Sequence, residues 1–266
     1  MNVLLAQLAP VPGMPATNAQ RAADLITEHG TDLAIFPELY LSGYTLCSLD
    51  EVALDVDGPE LQAISDTAAA SRTSVIVGFT ERLQDGFANS LAAIDADGTT
   101  AAIYRKVYLY GQERNAFVPG SDGVIATLGG ERIGLSICFD IEFPEHTRAL
   151  ARAGATLLAT ASANMAPFAR HHELHTRARA LENGLPHVYV NRPGYESGFA
   201  FVGESRVIDA NGGICEQLGT EEEVRLAALP DPRQQAPNLR YLEQTRNVPV
   251  RTCDSRGRRR GAGARG

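Results

Sequence analysis

The sequence predicts an α/β fold in which mixed β-sheet forms more than one layer. Apolar strand-like runs alternate with segments of helical spacing, which is typical of α/β proteins. Two of the runs are joined by a short turn, as in a β-hairpin, so the sheet is not purely parallel. No internal repeat of solenoid length occurs. The chain has 266 residues, and 44% of them are hydrophobic, enough for a large core.

In the first half of the chain, turn residues separate the predicted elements. Gly30 is a stop signal for the first helix, and Asp97-Gly98 is the turn of the hairpin. The predicted strands cover residues 3–8, 32–36, 74–79, 87–95 and 100–106, and the predicted helices cover residues 17–29 and 60–71.

In the second half, a proline marks the start of one predicted helix and a glycine marks the end of the other. Pro144 stands in the first turn of one helix, a position that helices accept, and Gly184 ends the next. The predicted helices cover residues 143–153 and 168–183, and the predicted strands cover residues 132–138, 156–160, 188–191, 199–209 and 224–229.

Charge is unevenly distributed along the chain. The formal net charge is −8, but residues 251–266 carry six arginines and one acidic residue, which leaves −13 on residues 1–250. An acidic body argues against nucleic-acid binding. We expect residues 248–266 to be a disordered Arg/Gly-rich tail, since arginine and glycine supply nothing to bury, with binding to an acidic partner as the alternative.

The sequence predicts a cytoplasmic protein without a membrane span. No run approaches about 18 uninterrupted apolar residues. The first residues lack a basic region and are predicted to form a strand rather than a signal peptide. Four cysteines, Cys47, Cys138, Cys215 and Cys253, lie far apart and form no CxxC pair. This spacing fits neither structural zinc nor a disulfide framework, so we expect reduced thiols.

Lys106 is the only lysine among 24 basic residues. Lysine presents a compact ammonium on a flexible stem, which the planar guanidinium of arginine does not reproduce in a tight site. A functional role would explain this lysine, and chance retention at the surface is the alternative. Its neighbours in the sequence must decide between the two.

Three residues of complementary chemistry, Glu38, Lys106 and Cys138, stand where predicted strands end. Ligand sites of open α/β sheets collect at the carboxyl ends of strands. Each residue alone is more often a loop acid, a surface lysine or a core thiol. Together they suit nucleophilic catalysis, because a helix start favours a thiolate, a partly buried glutamate can accept the thiol proton, and an ammonium stabilises an oxyanion.

Five motifs resemble those of the nitrilase superfamily of carbon–nitrogen hydrolases, in the order that the family has them, from residue 1 to about 230. They are Phe36-Pro37-Glu38-Leu39 with Ser42-Gly43-Tyr44; Tyr104-Arg105-Lys106-Val107-Tyr108-Leu109 with Glu113 and residues 117–120; residues 134–140 with Phe143-Pro144-Glu145; residues 177–184 with 190–194; and residues 203–209.

The resemblance implies a four-layer α-β-β-α sandwich with two mixed β-sheets. It implies that residues 1–247 form one carbon–nitrogen hydrolase domain that assembles into a homodimer or a larger homo-oligomer. Glu38 would be the general base and Cys138 the nucleophile, while Lys106 and the backbone N–H of Phe139 would hold the oxyanion. Glu113 would orient Lys106 and the substrate. Neither a metal nor an organic cofactor is implied.

The expected substrate is a small linear carboxamide, which would be converted to a carboxylate and ammonia through a cysteine thioester. The pair Phe139-Asp140 after the cysteine resembles amidases more than nitrile-specific members. N-carbamoyl amines or amino acids are the alternative substrates, and nitriles are less favoured. The residues expected at the substrate are Tyr44, Phe139, Glu142 and Asn164.

Two positions near the expected substrate site depart from the family pattern. Position 108, often histidine, is Tyr108, and position 142, often arginine in the omega-amidase-like branch, is Glu142. Glu142 favours neutral or amine-bearing amides over carboxylate-bearing ones. The alternative is that this acid only complements a helix macrodipole.

Two other functions are weighed against hydrolysis by cysteine. The segment from His171 to His175 approaches the zinc motif HExxH, but Thr176 stands where the second histidine is needed. His171 and His175 share a helical spacing of four residues, yet a polar stripe on a surface helix is the favoured interpretation. The non-enzyme alternative is a catalytically silent relative that acts as a binding protein, and the intact trio argues against it.

Overall fold

The computed structural model of the protein describes residues 1–231 and 241–250. The predicted Arg/Gly-rich tail therefore lies outside the described residues, apart from 248–250, which are exposed and belong to no helix or strand. Within the described ranges, no helix combines the length and the apolar character needed to cross a membrane.

The first sheet has six strands in the order β14-β1-β2-β3-β4-β5. The pairs β1–β2 and β2–β3 are parallel, and the other three are antiparallel. The strands are β1 (Asn2–Gln7), β2 (Leu33–Ile35), β3 (Ser74–Leu83), β4 (Gly86–Ile94), β5 (Thr100–Arg105) and β14 (Glu223–Ala228).

The second sheet also has six strands, in the order β13-β12-β9-β8-β7-β6, and its pairs β7–β8 and β8–β9 are parallel. Its strands are β6 (Ile125–Leu128), β7 (Glu131–Ile137), β8 (Leu157–Ser162), β9 (His187–Asn191), β12 (Arg206–Ile208) and β13 (Ile214–Gln217). The strands β10 (Pro193–Glu196) and β11 (Phe199–Val202) form a separate hairpin.

The predicted helix boundaries agree closely with the structure. Gly30 and Gly184 follow α1 and α6 in the left-handed conformation, which glycine adopts without steric cost. The helices are α1 (Pro15–His29), α2 (Leu49–Val52), α3 (Pro59–Ser71), α4 (Glu113–Ala116), α5 (Pro144–Arg152), α6 (Ala169–Asn183) and α7 (Tyr241–Gln244), and a 3₁₀ turn covers Cys138–Glu142.

Strand β1 shows how the layers are held together. Successive side chains of a strand point to opposite faces. Leu5 packs into an apolar cluster with Leu135 of the second sheet, whereas Leu4 packs into another with Ile26 of α1 and Ile64 of α3. The strand is therefore apolar on both faces. Helices α5 and α6 cover the outer face of the second sheet, so the predicted four-layer α-β-β-α sandwich with two mixed sheets is confirmed.

The prediction of one strand over residues 199–209 is wrong. The segment contains β11 and β12, which lie in different sheets. Gly203 and Glu204 have φ of +61° and +57° and turn the chain between them. A Cβ at position 203 would lie 2.9 Å from both Gln7 Nε2 and the Gly219 carbonyl oxygen, so this crossing requires glycine. The strands β6, β10 and β13, four residues each, were not predicted because such short runs show little periodicity.

Candidate active site

Three strand ends bring Glu38, Lys106 and Cys138 together. Glu38 follows β2, Lys106 follows β5 directly, and Cys138 begins the 3₁₀ turn after β7. All three are buried. The loop that carries Glu38 packs directly on Gly78 of β3, where a Cβ would lie 2.4 Å from the Pro37 carbonyl oxygen. Glycine at this position thus allows the glutamate loop to lie close to the sheet.

The Glu38 carboxylate accepts three hydrogen bonds. Its Oε1 accepts from Lys106 Nζ at 2.6 Å and from Asn89 Nδ2 at 2.7 Å, and its Oε2 accepts from the backbone N–H of Ala163 at 2.8 Å. Burial raises the pKa of Glu38, and the charge of Lys106 opposes that rise. A carboxyl group with a raised pKa can exchange protons near neutral pH, which a general base requires. Asn89 was not predicted, although a buried polar residue within the apolar strand β4 is a recognisable signal.

Lys106 lies between two carboxylates. Its Nζ is 2.6 Å from Glu38 Oε1 and 2.8 Å from Glu113 Oε2. Burial alone would lower the pKa of Lys106, but Glu113 and Glu38 more than offset it, so the pKa lies well above its usual value. Glu113 also accepts hydrogen bonds from the Tyr44 hydroxyl at 2.8 Å and from the backbone N–H of Tyr110 at 2.9 Å. The ammonium is therefore charged and fixed in position.

Cys138 stands in a strained conformation, with φ of +43°, which is uncommon for a residue other than glycine. Asp140 holds the turn: its Oδ2 accepts from the backbone N–H of Ile137 at 2.8 Å and from the Tyr104 hydroxyl at 2.6 Å, and its Oδ1 accepts from the backbone N–H of Tyr108 at 2.9 Å. Asp140 thus joins the cysteine turn to the lysine segment. Sequence reasoning included it in a motif without assigning it a role.

The environment of the Cys138 thiol favours the protonated form. Burial raises the pKa of the thiol, and the charge of Glu38 raises it further, while Lys106 and a hydrogen bond from Ser162 act in the opposite direction. Because the thiolate is the nucleophilic form, a base must remove the proton when substrate arrives. Glu38 is the carboxylate whose charge acts most strongly on this thiol.

A cavity of about 250 Å³ opens onto Cys138. It is lined by Tyr110, Cys138, Phe139, Glu142, Ala163, Asn164, Met165, Phe168, His171 and His172. Three of the four predicted substrate residues, Phe139, Glu142 and Asn164, are in this lining. Tyr44 is not among the lining residues; it is buried, and its hydroxyl donates to Glu113. The structure therefore places Tyr44 beside the lysine rather than in the cavity wall.

Glu142 faces helix α6 from the cavity wall. Its carboxylate oxygens lie 3.6 Å from His172 Nε2 and 3.9 Å from His175 Nε2. The contact with His172 lowers the pKa of Glu142 against partial burial, so the carboxylate is ionised at neutral pH. The favoured interpretation, a polar stripe on a surface helix, fits the exposed His171, whereas His172, Thr176 and Arg179 on the inner face of α6 are buried. Among residues 1–231 and 241–250, no three histidines, cysteines or acids are grouped to hold a metal ion.

Tyr108 lies outside the cavity lining. Its ring stacks on Phe143 with centroids 3.7 Å apart, in a groove on the other side of Phe139. Of the two departures from the family pattern, only Glu142 therefore reaches the cavity at Cys138.

Comparison with known sequences matches residues 3–237 to the family model described as carbon–nitrogen hydrolase. An (R)-stereoselective amidase from a Pseudomonas species is 38% identical over 226 residues, which cover 84% of this chain and 82% of that protein. A nitrilase from Pyrococcus abyssi is 32% identical over 241 residues, covering 86% of this chain and 89% of the relative.

Solved structures include similar folds. An amidase from Nesterenkonia sp. superposes with a TM-score of 0.81 at 29% identity, covering 92% of this chain and 93% of that one. A mutant of this amidase, with the same TM-score and identity and with 92% and 94% coverage, shows covalent addition of the acetamide moiety of fluoroacetamide at the active-site cysteine.

Proposed function

The chain belongs to the carbon–nitrogen hydrolase family, and we propose that it is an amidase that converts a small linear carboxamide to a carboxylate and ammonia. One observation carries the proposal: Lys106 Nζ lies within hydrogen-bonding distance of both Glu38 and Glu113, and the buried Cys138 stands beside this ion pair. An ammonium fixed in this way is available for an oxyanion that develops next to the cysteine. Similarity to two named amidases supports the choice of amides.

In the first half-reaction, Glu38 takes the proton of the Cys138 thiol, and the sulfur attacks the amide carbonyl carbon. The carbonyl oxygen becomes an oxyanion, which accepts hydrogen bonds from the Lys106 ammonium and the backbone N–H of Phe139. Protonated Glu38 then donates its proton to the departing nitrogen. Ammonia leaves and a thioester remains on Cys138.

In the second half-reaction, Glu38 takes a proton from water, and the hydroxide attacks the thioester carbonyl. The same donors hold the second oxyanion. Its collapse releases the carboxylic acid, which ionises in solvent, and the Cys138 thiolate, which recovers a proton from Glu38. Glu113 takes no proton in this sequence; it holds Lys106 in place, and Tyr44 holds Glu113.

The residues of the cavity wall determine which amides are favoured. Tyr110, Phe139 and Phe168 provide aromatic surface for the acyl group, and Asn164 holds the wall by donating from Nδ2 to the Phe168 carbonyl oxygen at 3.2 Å. The ionised Glu142 carboxylate favours an acyl group that bears an ammonium and disfavours one that bears a carboxylate. The Glu142 carboxylate faces His172 and His175 of α6, which speaks against a role that only stabilises α5.

The proposal also covers the state of the protein in the cell. We place a single hydrolase domain, residues 1–247, in a cytoplasmic homodimer or larger homo-oligomer. The family resemblance supports the assembly, and the free thiols of Cys47, Cys138 and Cys215 fit a reducing compartment. Sedimentation analysis of the purified chain tests the assembly, and a monomer at all concentrations would contradict it.

Ammonia release across a panel of amides, N-carbamoyl compounds and nitriles tests the function. Amides are expected to react fastest, and Cys138→Ser is expected to lose hydrolysis while it keeps the fold by circular dichroism. Turnover of nitriles or N-carbamoyl compounds alone would move the protein to one of those classes. A folded wild type that releases no ammonia from any compound would support a silent binding protein instead.

A further inference from the structure

A second set of polar side chains reaches Cys138 from the direction of α6. Ser162 ends β8, Tyr189 lies on β9 and His172 lies on α6. All three side chains are buried. Because Ile137 pairs with Ala161 in the parallel register of β7 and β8, Ser162 is the next residue along and lies beside Cys138.

Hydrogen bonds join these side chains in series. The Tyr189 hydroxyl donates to Ser162 Oγ at 3.1 Å, and the Ser162 hydroxyl, placed beside Cys138 by the strand register, lowers the pKa of the thiol. His172 Nδ1 lies 2.8 Å from the Tyr189 oxygen. The contact with His172 fixes the position of the Tyr189 hydroxyl. The Tyr189 hydroxyl is thus directed at Ser162, which lies next to the sulfur.

We propose that Ser162, Tyr189 and His172 are positioning residues that hold the Cys138 sulfur and stabilise its thiolate through this series of hydrogen bonds. The proposal rests on the proposed function, in which Cys138 is the nucleophile. A buried anion needs hydrogen-bond donors to replace water, and donors to an ionised acceptor form the stronger bonds. Each donor also polarises the next one in the series.

The end of β8 connects this series to the base. Ser162 lies beside the nucleophile, and the next residue, Ala163, donates its backbone N–H to Glu38 Oε2 at 2.8 Å. Two consecutive residues therefore hold the sulfur and the carboxylate that takes its proton. A change at Ser162 is expected to alter the ionisation of the thiol more than the binding of substrate.

Burial keeps the His172 imidazole neutral, and the charged groups around it act in both directions. Burial lowers the pKa of His172, and His175 and Arg206 act in the same direction against the Glu142 carboxylate. The Arg206 guanidinium also lies over the Tyr189 ring, 5.3 Å from its centroid. On β9, the remaining titratable neighbour is His187, which is also neutral because burial lowers its pKa to about 4. The Nε2 of His172 faces the Glu142 carboxylate at 3.6 Å, and its Nδ1 contacts the Tyr189 oxygen at 2.8 Å.

The pH dependence of Cys138 alkylation by iodoacetamide tests the proposal. The full chain is used, and the modification is measured on the Cys138 peptide by mass spectrometry, so that the exposed Cys47 and Cys215 do not contribute. The variants are Ser162→Ala and Tyr189→Phe. Ser136→Ala is the matched control, because Ser136 is a buried serine on the neighbouring strand whose hydroxyl has no partner among the described residues.

Ser162→Ala is expected to raise the midpoint of alkylation by about one pH unit, and thus to lower the thiolate fraction about tenfold, as for a lost hydrogen bond to a charged group. Tyr189→Phe is expected to shift the midpoint in the same direction by less, and Ser136→Ala not at all. The kcat of amide hydrolysis is expected to fall with the thiolate fraction while KM changes little.

Midpoints of both variants that equal that of Ser136→Ala would overturn the proposal. If Ser162→Ala does not fold, Tyr189→Phe decides alone, since it removes one hydroxyl and keeps the ring. Failure of the proposed function would be visible separately: the wild type would release no ammonia from amides, while the shifts in alkylation midpoint would persist.

Discussion

Two groups of ionisable side chains flank Cys138, and they differ in how tightly they are held. The lysine group consists of Glu38, Lys106 and Glu113. Its ammonium lies 2.6 Å and 2.8 Å from the two carboxylates, and none of its side chains is more than 1% exposed.

The histidine group, made of Glu142, His172 and His175, is looser. Its separations are 3.6 Å and 3.9 Å, and Glu142 and His175 keep 27% and 29% of their side-chain surface exposed. No arginine or lysine of the described residues forms an ion pair with the Glu142 carboxylate. Its charge is therefore available to a group that enters the cavity.

The difference indicates that the lysine group serves the reaction and that the histidine group serves recognition of the substrate. Removing one member of a tightly buried ion pair leaves an uncompensated charge, so the lysine group has one stable geometry, which suits the chemistry common to a family. A loosely held carboxylate at a cavity wall can exchange its partners at small cost. It suits the selection of a substrate, which differs between relatives.

The largest effect is expected from Lys106→Arg. This change keeps the charge but replaces a point donor by a planar fork between two fixed carboxylates. We expect kcat for amides to fall by about 10²–10³-fold or more, the loss typical of a missing oxyanion donor. Steady-state kinetics measure it. The control is the opposite exchange at the adjacent position, Arg105→Lys, where the arginine side chain is 47% exposed and pairs with Glu81. Near-normal turnover by Lys106→Arg would mean that the lone lysine is incidental.

Acid is expected to lower the stability of the fold through His187, whose imidazole contacts α6. This buried imidazole contacts Thr160 Oγ1 at 2.8 Å and the Thr176 carbonyl oxygen at 3.2 Å, and burial lowers its pKa from 6.5 to about 4. Its stabilising contribution is complete above pH 6.5 and is lost as the pH falls towards 4, because the unfolded chain takes up the proton first. The loss is about 3 kcal/mol. Urea unfolding as a function of pH measures it, and His187→Gln is expected to flatten the dependence; an unchanged slope would contradict this.

Tyr44→Phe is expected to have a moderate effect within the lysine group. It removes the hydrogen bond of 2.8 Å to Glu113 and leaves the ring in place. Since such a bond contributes about 1 kcal/mol, kcat is expected to fall about fivefold with little change in KM. Tyr40→Phe is the matched control, because Tyr40 is equally buried and its hydroxyl has no partner among the described residues. If both variants lose the same activity, Tyr44 does not act through Glu113.

The smallest effect is expected from Glu142→Gln, which is expected to change the preference between charged and neutral amides. The ratio of kcat/KM for an ammonium-bearing amide to that for its neutral isostere is expected to fall about threefold, because a partly exposed ion pair contributes 1 kcal/mol or less. Glu142→Arg is expected to favour carboxylate-bearing amides. Glu145→Gln, which changes an exposed acid three residues away, serves as control. Equal ratios in all variants would leave Glu142 with a helix-stabilising role alone.

The lysine group was predictable from sequence, whereas the histidine group was not. Glu38 and Lys106 follow apolar strands, so a polar residue at the end of a buried run marks the sheet edge. Helix α6 is polar on every face, a pattern that indicates a surface helix. Its inner face is nevertheless buried, because its side chains hydrogen-bond to other elements; Arg179 Nε, for example, donates to the Ile141 carbonyl oxygen at 2.8 Å. Such partners lie tens of residues away in the sequence, so the local periodicity of the helix does not predict them.

The same limit applies to the fold. Apart from the segment 199–209, the strands and helices that were predicted were located within a few residues, because burial and turn residues are local signals. The break at Gly203 depends on Gln7 and Gly219, which approach from distant parts of the chain. Likewise, the sequence of β1 is apolar on both faces and does not show which face packs against the second sheet and which packs against the helices.

The central claim is that Cys138 carries the acyl group, and acid quenching during turnover tests it most directly. The reaction with a small amide is stopped in the steady state, and peptide mass spectrometry locates the added mass. We predict an acyl increment on the Cys138 peptide that hydroxylamine removes and that is absent from Cys138→Ser. Steady turnover with the acyl group on another residue, or undiminished hydrolysis by Cys138→Ser, would contradict the account.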